Sequence, residues 1–334
     1  MSAFASMRRS ATTRRVRAVL WVTAAVMITI VPLSANTYTN SQLSLVAAFA
    51  VAILGLNLVT GYAGQVSLGQ SAFLGLGAYS AAIATGASWP AWAALVAACL
   101  IPAVIGLLFG LPALRLGGHS LAMVTLALPM VAVPLAKRLS TWTGGSTGIS
   151  ARPLHAPAWT GLAPDQWTFY VLAGLAVLMF LLAGNLTRGR LGRALSLIRV
   201  SETVAASVGV PVYAYKLLAF VCAALFGGVA GFMYVCAIGF MSPESLNLLI
   251  SLNLLIAMVV GGMRSLLGSL IGGAFYVFLP ELASLAGATR AGVINIATGA
   301  CVLLVVFLAR GGASSIMSRT WGRIGGGASS KRSA

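Results

Sequence analysis

Hydrophobic residues run along this chain in unbroken blocks of bilayer-spanning length, separated by short polar or glycine-rich segments. The blocks fall at 18–35, 41–60, 69–87, 91–111, 119–136, 168–187, 215–238, 246–262, 265–282 and 291–309. Each is close to the roughly 17–25 residues that a helix needs to cross a bilayer, and the apolar runs are continuous rather than alternating, which argues for helices over a barrel. The segments Gly61 to Gly69 and Gly261 to Gly268 interrupt two neighbouring pairs of blocks with glycine. They can be broken or re-entrant helices, so the expectation is an all-α polytopic membrane protein with eight to ten spans.

The stretch Leu191 to Pro211, LGRALSLIRVSETVAASVGVP, breaks the apolar pattern. Ser201 suits an N-cap, Glu202 lies in the first turn where an anion complements the helix dipole, Gly209 suits the C′ position, and Pro211 blocks continuation. The pattern predicts a short capped helix lying on the membrane face. It fits either a docking element for a soluble partner or an ordinary basic loop.

Composition agrees with this class: 59% of the 334 residues are hydrophobic, 7% are charged, and mean hydropathy is +0.98. Such a chain cannot present the polar surface of a soluble domain. Lys and Arg number 21 against four acidic residues, Asp165, Glu202, Glu244 and Glu281. Nucleic-acid binding is excluded because the basic residues gather at the ends of apolar runs, where they meet lipid headgroups and set orientation.

With the N-terminus inside, seventeen of the 21 fall on the cytoplasmic side. Only Lys137, Arg138, Arg152 and Arg290 fall outside. Both termini are therefore expected in the cytoplasm, with an external loop at about 137–167 and a cytoplasmic loop at about 188–214. Residues 1–17 and 311–334 read as basic, headgroup-associated tails flanking a membrane domain at 18–310. The first block is span-length, with only a weak small-residue cleavage site after it, so a retained helix is expected rather than a signal peptide.

No catalytic constellation is visible. The only lysines, Lys137, Lys216 and Lys331, stand in no phosphate-binding GxxxxGK[ST] loop. His119 and His155 thread to opposite membrane faces and cannot share a metal. Cys99, Cys222, Cys236 and Cys301 are dispersed in apolar runs and read as small core residues. No metal or cofactor is expected. Every acidic residue maps to a span end or a loop, which leaves no internal proton or cation relay. Energy for uphill transport would then come from a partner, and a passive channel is the alternative.

Gly55 to Ala81, GLNLVTGYAGQVSLGQSAFLGLGAYSA, is the densest pattern in the chain. A break at Gly61-Tyr62-Ala63-Gly64 frees backbone groups that can bind a polar solute without charge, and Tyr62, Gly64, Gln65, Ser67 and Gln70 are the candidate lining residues. Tight small-residue helix packing explains the same glycines equally well. A weak repeat places Asn57 and Asn253 in corresponding positions, each ahead of a glycine turn.

Residues 55–79 closely resemble the signature of branched-chain amino acid ABC transporter permeases, the LivH/LivM group, which includes urea and amide permeases. Further blocks agree in order: Leu114-Arg115-Leu116 leading to MVTLAL at 123–128, TGGSTGI at 143–149, GRALSLIRVSETVAASVG at 192–209 followed by YKLLAF at 215–220, and GFMSPES at 239–245 followed by GGMRSLLGSLIGGAF. The resemblance runs from about residue 40 to 310 and is closer to the LivM branch. It implies a bacterial inner-membrane subunit that pairs with a second permease, sits on two cytoplasmic ATPases and receives solute from an extracytoplasmic binding protein. It also implies ATPase contact through Arg193, Arg199, Glu202 and Gly209, and it places His119 near the pathway. The chain departs from the family at Ser201, often acidic there, at His119, near which a tyrosine is usual, at Arg264, where glycine stands, and at Ser269, where proline stands.

Overall fold

A computed structural model of the chain describes residues 36–115, 118–152, 154, 156–157 and 161–285, the side chains of 118–120 and 282–285 excepted. The expected spans at 18–35 and 291–309, both tails, His155 and Trp159 lie outside the described residues.

The apolar blocks form helices: α1 (Thr37–Leu56), α2 (Gln70–Gly86), α3 (Ala91–Ala113), α4 (Gly118–Arg138) and α5 (Pro164–Arg188). The polar island then forms α6 (Arg190–Val200) and α7 (Glu202–Ser207), and the remaining blocks form α8 (Val212–Ile238), α9 (Leu248–Gly261) and α10 (Leu266–Leu285). The molecule is an all-α polytopic membrane protein. Five described helices are long and apolar enough to cross a bilayer: α1 with its continuation to Tyr62, α3, α4, α5 and α8. At about 1.5 Å per residue, the 17 residues of α2 and the 14 of α9 reach only about 25 and 21 Å, short of a ~30 Å hydrocarbon core. These two short helices flank the two glycine breaks, as broken spans would.

α8 is the hub, packed against α1, α2 and α3. Backbone contact makes this possible: a Cβ on Gly77 would lie 2.2 Å from the Gly228 carbonyl oxygen, and one on Gly231 would lie 2.0 Å from that of Leu74. Without a strong hydrophobic force between helices in lipid, such close approach supplies the dispersion contacts that hold them. Phe49 of α1 adds ring contacts to Tyr276 at 4.3 Å and Tyr234 at 5.9 Å. Outward faces of α3 and α5 expose Leu100, Val104, Leu108, Val177, Leu178 and Leu181, an apolar coat suited to lipid.

The connecting segments gather at two ends. At one, Asn40 Nδ2 donates to Asp165 (2.8 Å), Lys137 pairs with Glu244 (2.9 Å), and the strand β1 (Ile149–Ser150) pairs antiparallel with β2 (Phe240–Met241). The loop expected at about 137–167 is shorter, because α4 runs to Arg138 and α5 starts at Pro164. At the other end lie the first break, α6, α7 and the turn at 262–265, joined by the contacts described next. That end also carries Arg188, Arg190, Arg193, Arg199, Lys216 and Arg264, in keeping with the charge bias of the sequence.

Candidate functional site

The first break begins where α1 widens into a π-helical turn, Asn57–Tyr62. Ala63 N–H reaches Leu58 O (3.2 Å) and Gln65 N–H reaches Val59 O (3.1 Å), while Gly64 turns the chain at φ +72°. A broken helix strands amides that must be satisfied wherever water is absent. Here hydroxyls from three elements meet them. Ser67 N–H donates to Thr60 Oγ1 (3.4 Å), Leu68 N–H to Thr125 Oγ1 (3.1 Å) and Ser71 N–H to Ser251 Oγ (2.9 Å). These partners come from up to 180 residues away, and no local sequence signal announces them.

The expected lining residues differ in what they do. Gln70 is buried and its Nε2 donates to Ala52 O (3.0 Å) and Ala223 O (3.4 Å), so it clamps α2 to α1 and α8. Ser67 is likewise buried. Tyr62 is half-buried and donates its hydroxyl to Arg264 O (3.0 Å). Gly64 is exposed. Gln65 is half-buried, and its Oε1 is a buried acceptor with no hydrogen-bond partner among the described residues. His119 is the second residue of α4; its side chain lies outside the described residues.

The two glycine breaks meet. Asn57 is 1% exposed; its Nδ2 donates to Ser265 O (3.2 Å) and Ser269 Oγ (3.3 Å), and its Oδ1 accepts from Arg264 N–H (2.9 Å). A side chain at Gly61 would collide with this Oδ1. Asn253, its partner in the weak repeat, is exposed, so the repeat extends to the helix–glycine turn–helix outline and not to the asparagines. The Arg264 guanidinium stands 5.9 Å over the Tyr62 ring and donates to Ser196 Oγ (3.4 Å) of α6.

The polar island is a helix pair rather than one short helix. Leu191, Ala194, Leu195 and Ile198 recur at helical spacing and are the buried face of α6. That spacing was present in the sequence and signalled the helix. α7 has the caps expected of it. Ser201 Oγ accepts from Val204 N–H (3.3 Å), and Gly209 at φ +81° closes the helix, with its own N–H on Ala206 O and Val210 N–H on Ala205 O, a Schellman motif.

Of the residues expected at an ATPase contact, Arg193 is exposed and donates to Arg188 O (3.2 Å), and Gly209 is exposed with open space around it. The Glu202 carboxylate bonds within the chain to buried Lys216 (2.5 Å). Arg199 donates to Gly61 O while the rest of the residue stays exposed. Charge directed the sequence reading to these four. Val200 at the end of α6 and Val204 and Val208, four apart on α7 and its C-cap, are uncharged and 84%, 50% and 70% exposed; the last two make an apolar knob on α7.

Residues 38–310 match the family described as branched-chain amino acid transport system / permease component. The chain is similar to the high-affinity branched-chain amino acid transport system permease protein LivM of Salmonella typhimurium, 34% identical over 257 residues, and to that of Escherichia coli, 33% over 255. Each alignment takes in 69% of this chain and 60% of the relative's length, so the chain spans about three fifths of these curated relatives. A solved structure, PsaBC from Streptococcus pneumoniae in complex with Fab, is similar at TM-score 0.46 and 14% identity, over 83% of this chain and 93% of that one.

Proposed function

Because the chain belongs to the branched-chain amino acid permease family, we propose that it forms part of the membrane pathway of an ATP-driven importer for leucine, isoleucine and valine in a bacterial inner membrane. Its partners are a second permease subunit, two cytoplasmic ATPases and an extracytoplasmic binding protein. The observation that carries this reading is the family match over 38–310, a range that includes both glycine breaks and the whole helix pair.

The charge distribution supports an external energy source. The four acidic side chains sit at helix ends or in connecting segments, Asp165 at the start of α5, Glu202 at the start of α7, Glu244 before α9 and Glu281 near the end of α10. With no acidic relay between these ends and no phosphate-binding loop in the sequence, uphill transport by this chain would draw its energy from a subunit that binds nucleotide. The solute path runs beside the first break, where Gln65 offers an acceptor in the non-helical segment it shares with Gly64 and Ser67, between Tyr62 at the end of the π-turn and Gln70 at the start of α2, with His119 at the start of α4. A neutral, half-apolar path suits a zwitterion whose side chain is aliphatic.

The ATPase seats on α7, its groove taking Val204 and Val208, with Gly209 at the end of the same helix and Arg193 exposed on α6. The decisive experiment co-expresses the chain with its partners and reconstitutes the complex in liposomes with the binding protein. ATP-dependent accumulation of labelled leucine is expected. Accumulation of labelled urea without leucine would overturn the solute assignment, and flux without the ATPase subunits would make the protein a channel.

A further inference from the structure

We infer that Arg199 is the positioning residue that ties the cytoplasmic helix pair to the broken end of α1, so that a displacement of α6 moves the break. The inference rests on the importer reading above and adds the residue through which the stroke would pass.

In an uninterrupted α-helix the Gln65 N–H would bond to Gly61 O. The π-turn sends it to Val59 O instead (3.1 Å), and the Gly61 carbonyl is left open at the negative end of the helix dipole. The Arg199 guanidinium fills that vacancy. Its aliphatic stem crosses Gly64, where an added Cβ would lie 2.8 Å from Arg199 Cγ. Gly64 therefore serves two ends at once, the +72° turn and the passage of this side chain. Gly64 was expected to line a cavity; the side chain lying over it comes from Arg199, 135 positions further on.

Arg199 is well placed to transmit motion in both directions. It sits in the last turn of α6, two residues before the Ser201 cap at which the chain turns into α7, the element offered to the ATPase. α6 is not loose: Leu191, Leu195 and Ile198 share a buried cluster with Val59 and Ala63 on either side of the carbonyl that Arg199 holds. Arg264 braces the same place from the second break through the Tyr62 ring and Ser196. Three segments far apart in sequence thus converge on the Gly61 to Gly64 turn, and Arg199 joins it to α6 directly.

A passive helix cap would give the same static picture, so the test separates coupling from stability. Arg199→Met keeps the stem over Gly64 and removes every donor; Arg199→Lys keeps the charge and an ammonium group that can donate to the Gly61 carbonyl. In the reconstituted complex two quantities are read: labelled leucine imported per ATP hydrolysed, and the reactivity of a cysteine replacing Val66, 46% exposed just past the turn, toward a charged maleimide with and without trapped nucleotide.

Arg199→Met is expected to assemble and hydrolyse ATP while import per ATP falls roughly tenfold, the scale of one charge-assisted hydrogen bond. The nucleotide-dependent change at residue 66 disappears, and Arg199→Lys restores part of both. Unchanged import per ATP in the assembled variant overturns the inference, as does a nucleotide-dependent change at residue 66 that survives the loss of every donor at residue 199. If Arg199→Met fails to assemble, Gly64→Ala crowds the same contact from the other side and is held to the same ratio. A wild-type complex that hydrolyses ATP but imports no leucine counts against the proposed solute alone, because labelling at residue 66 still reads the link.

Discussion

Arg264 holds its backbone at φ +61°, a region that costs a non-glycine residue roughly 1 kcal/mol, and the related family commonly has glycine there. Arg264 offsets the strain with a stack on Tyr62, about 0.5–1 kcal/mol at an exposed site. Arg264→Gly should therefore leave the melting temperature of the purified protein nearly unchanged. Arg264→Val, which keeps the strain, adds a branched Cβ and removes the stack, should cost roughly 2 kcal/mol. A Val variant as stable as the Gly variant would show that the turn relaxes freely.

The helix pair α6–α7 is the element on which the proposed docking depends, and its parts fail in different ways. Gly209→Val forces a β-branched residue to φ +81° and should undo the Schellman closure of α7. Glu202→Lys removes the partner of Lys216 and sets two cations together. The expected loss is about 1–2 kcal/mol, below the range for fully buried pairs because the Glu202 side chain is 61% exposed. Glu202→Gln, which keeps a hydrogen-bond acceptor, should be milder. Both effects belong to the permease itself and register in its thermal stability without any ATPase. Val204→Asp is the complementary change, since it leaves the caps intact and alters the apolar knob. Losing the burial of one valine in a partner groove should weaken ATPase association by about 1.5 kcal/mol or more, some tenfold in Kd, with permease stability unmoved. Equal ATPase affinity for Val204→Asp would remove α7 from the interface.

At the scale of the molecule the central prediction is sidedness. The two ends of the bundle carry opposite expectations, and cysteine at Val200, 84% exposed, and at Ser146, also exposed, reports them. In intact cells a membrane-impermeant maleimide should mark Ser146→Cys alone; labelling of both would overturn the orientation. Ser196 is a poorer reporter because its hydroxyl accepts from Arg264. Hydrophobic block length and the caps Ser201 and Gly209 were legible in the chain, because each is set by near neighbours or by the bilayer acting as solvent. The same is true of the family signature at 55–79. The site was legible only in outline. Gln70, expected as a lining residue, also clamps α2 to α1 and α8; Glu202, expected as a docking charge, also pairs with Lys216; and Gly64, expected at a cavity, also makes room for the Arg199 stem. Each of these roles is assigned by a partner 14 to 153 residues away, and in a chain so uniformly apolar no local pattern says which polar groups will meet. Packing chose those meetings, because the amides and carbonyls freed where the two breaks are buried had to find partners without water, and only the folded bundle determines which hydroxyl, asparagine or arginine lies within reach.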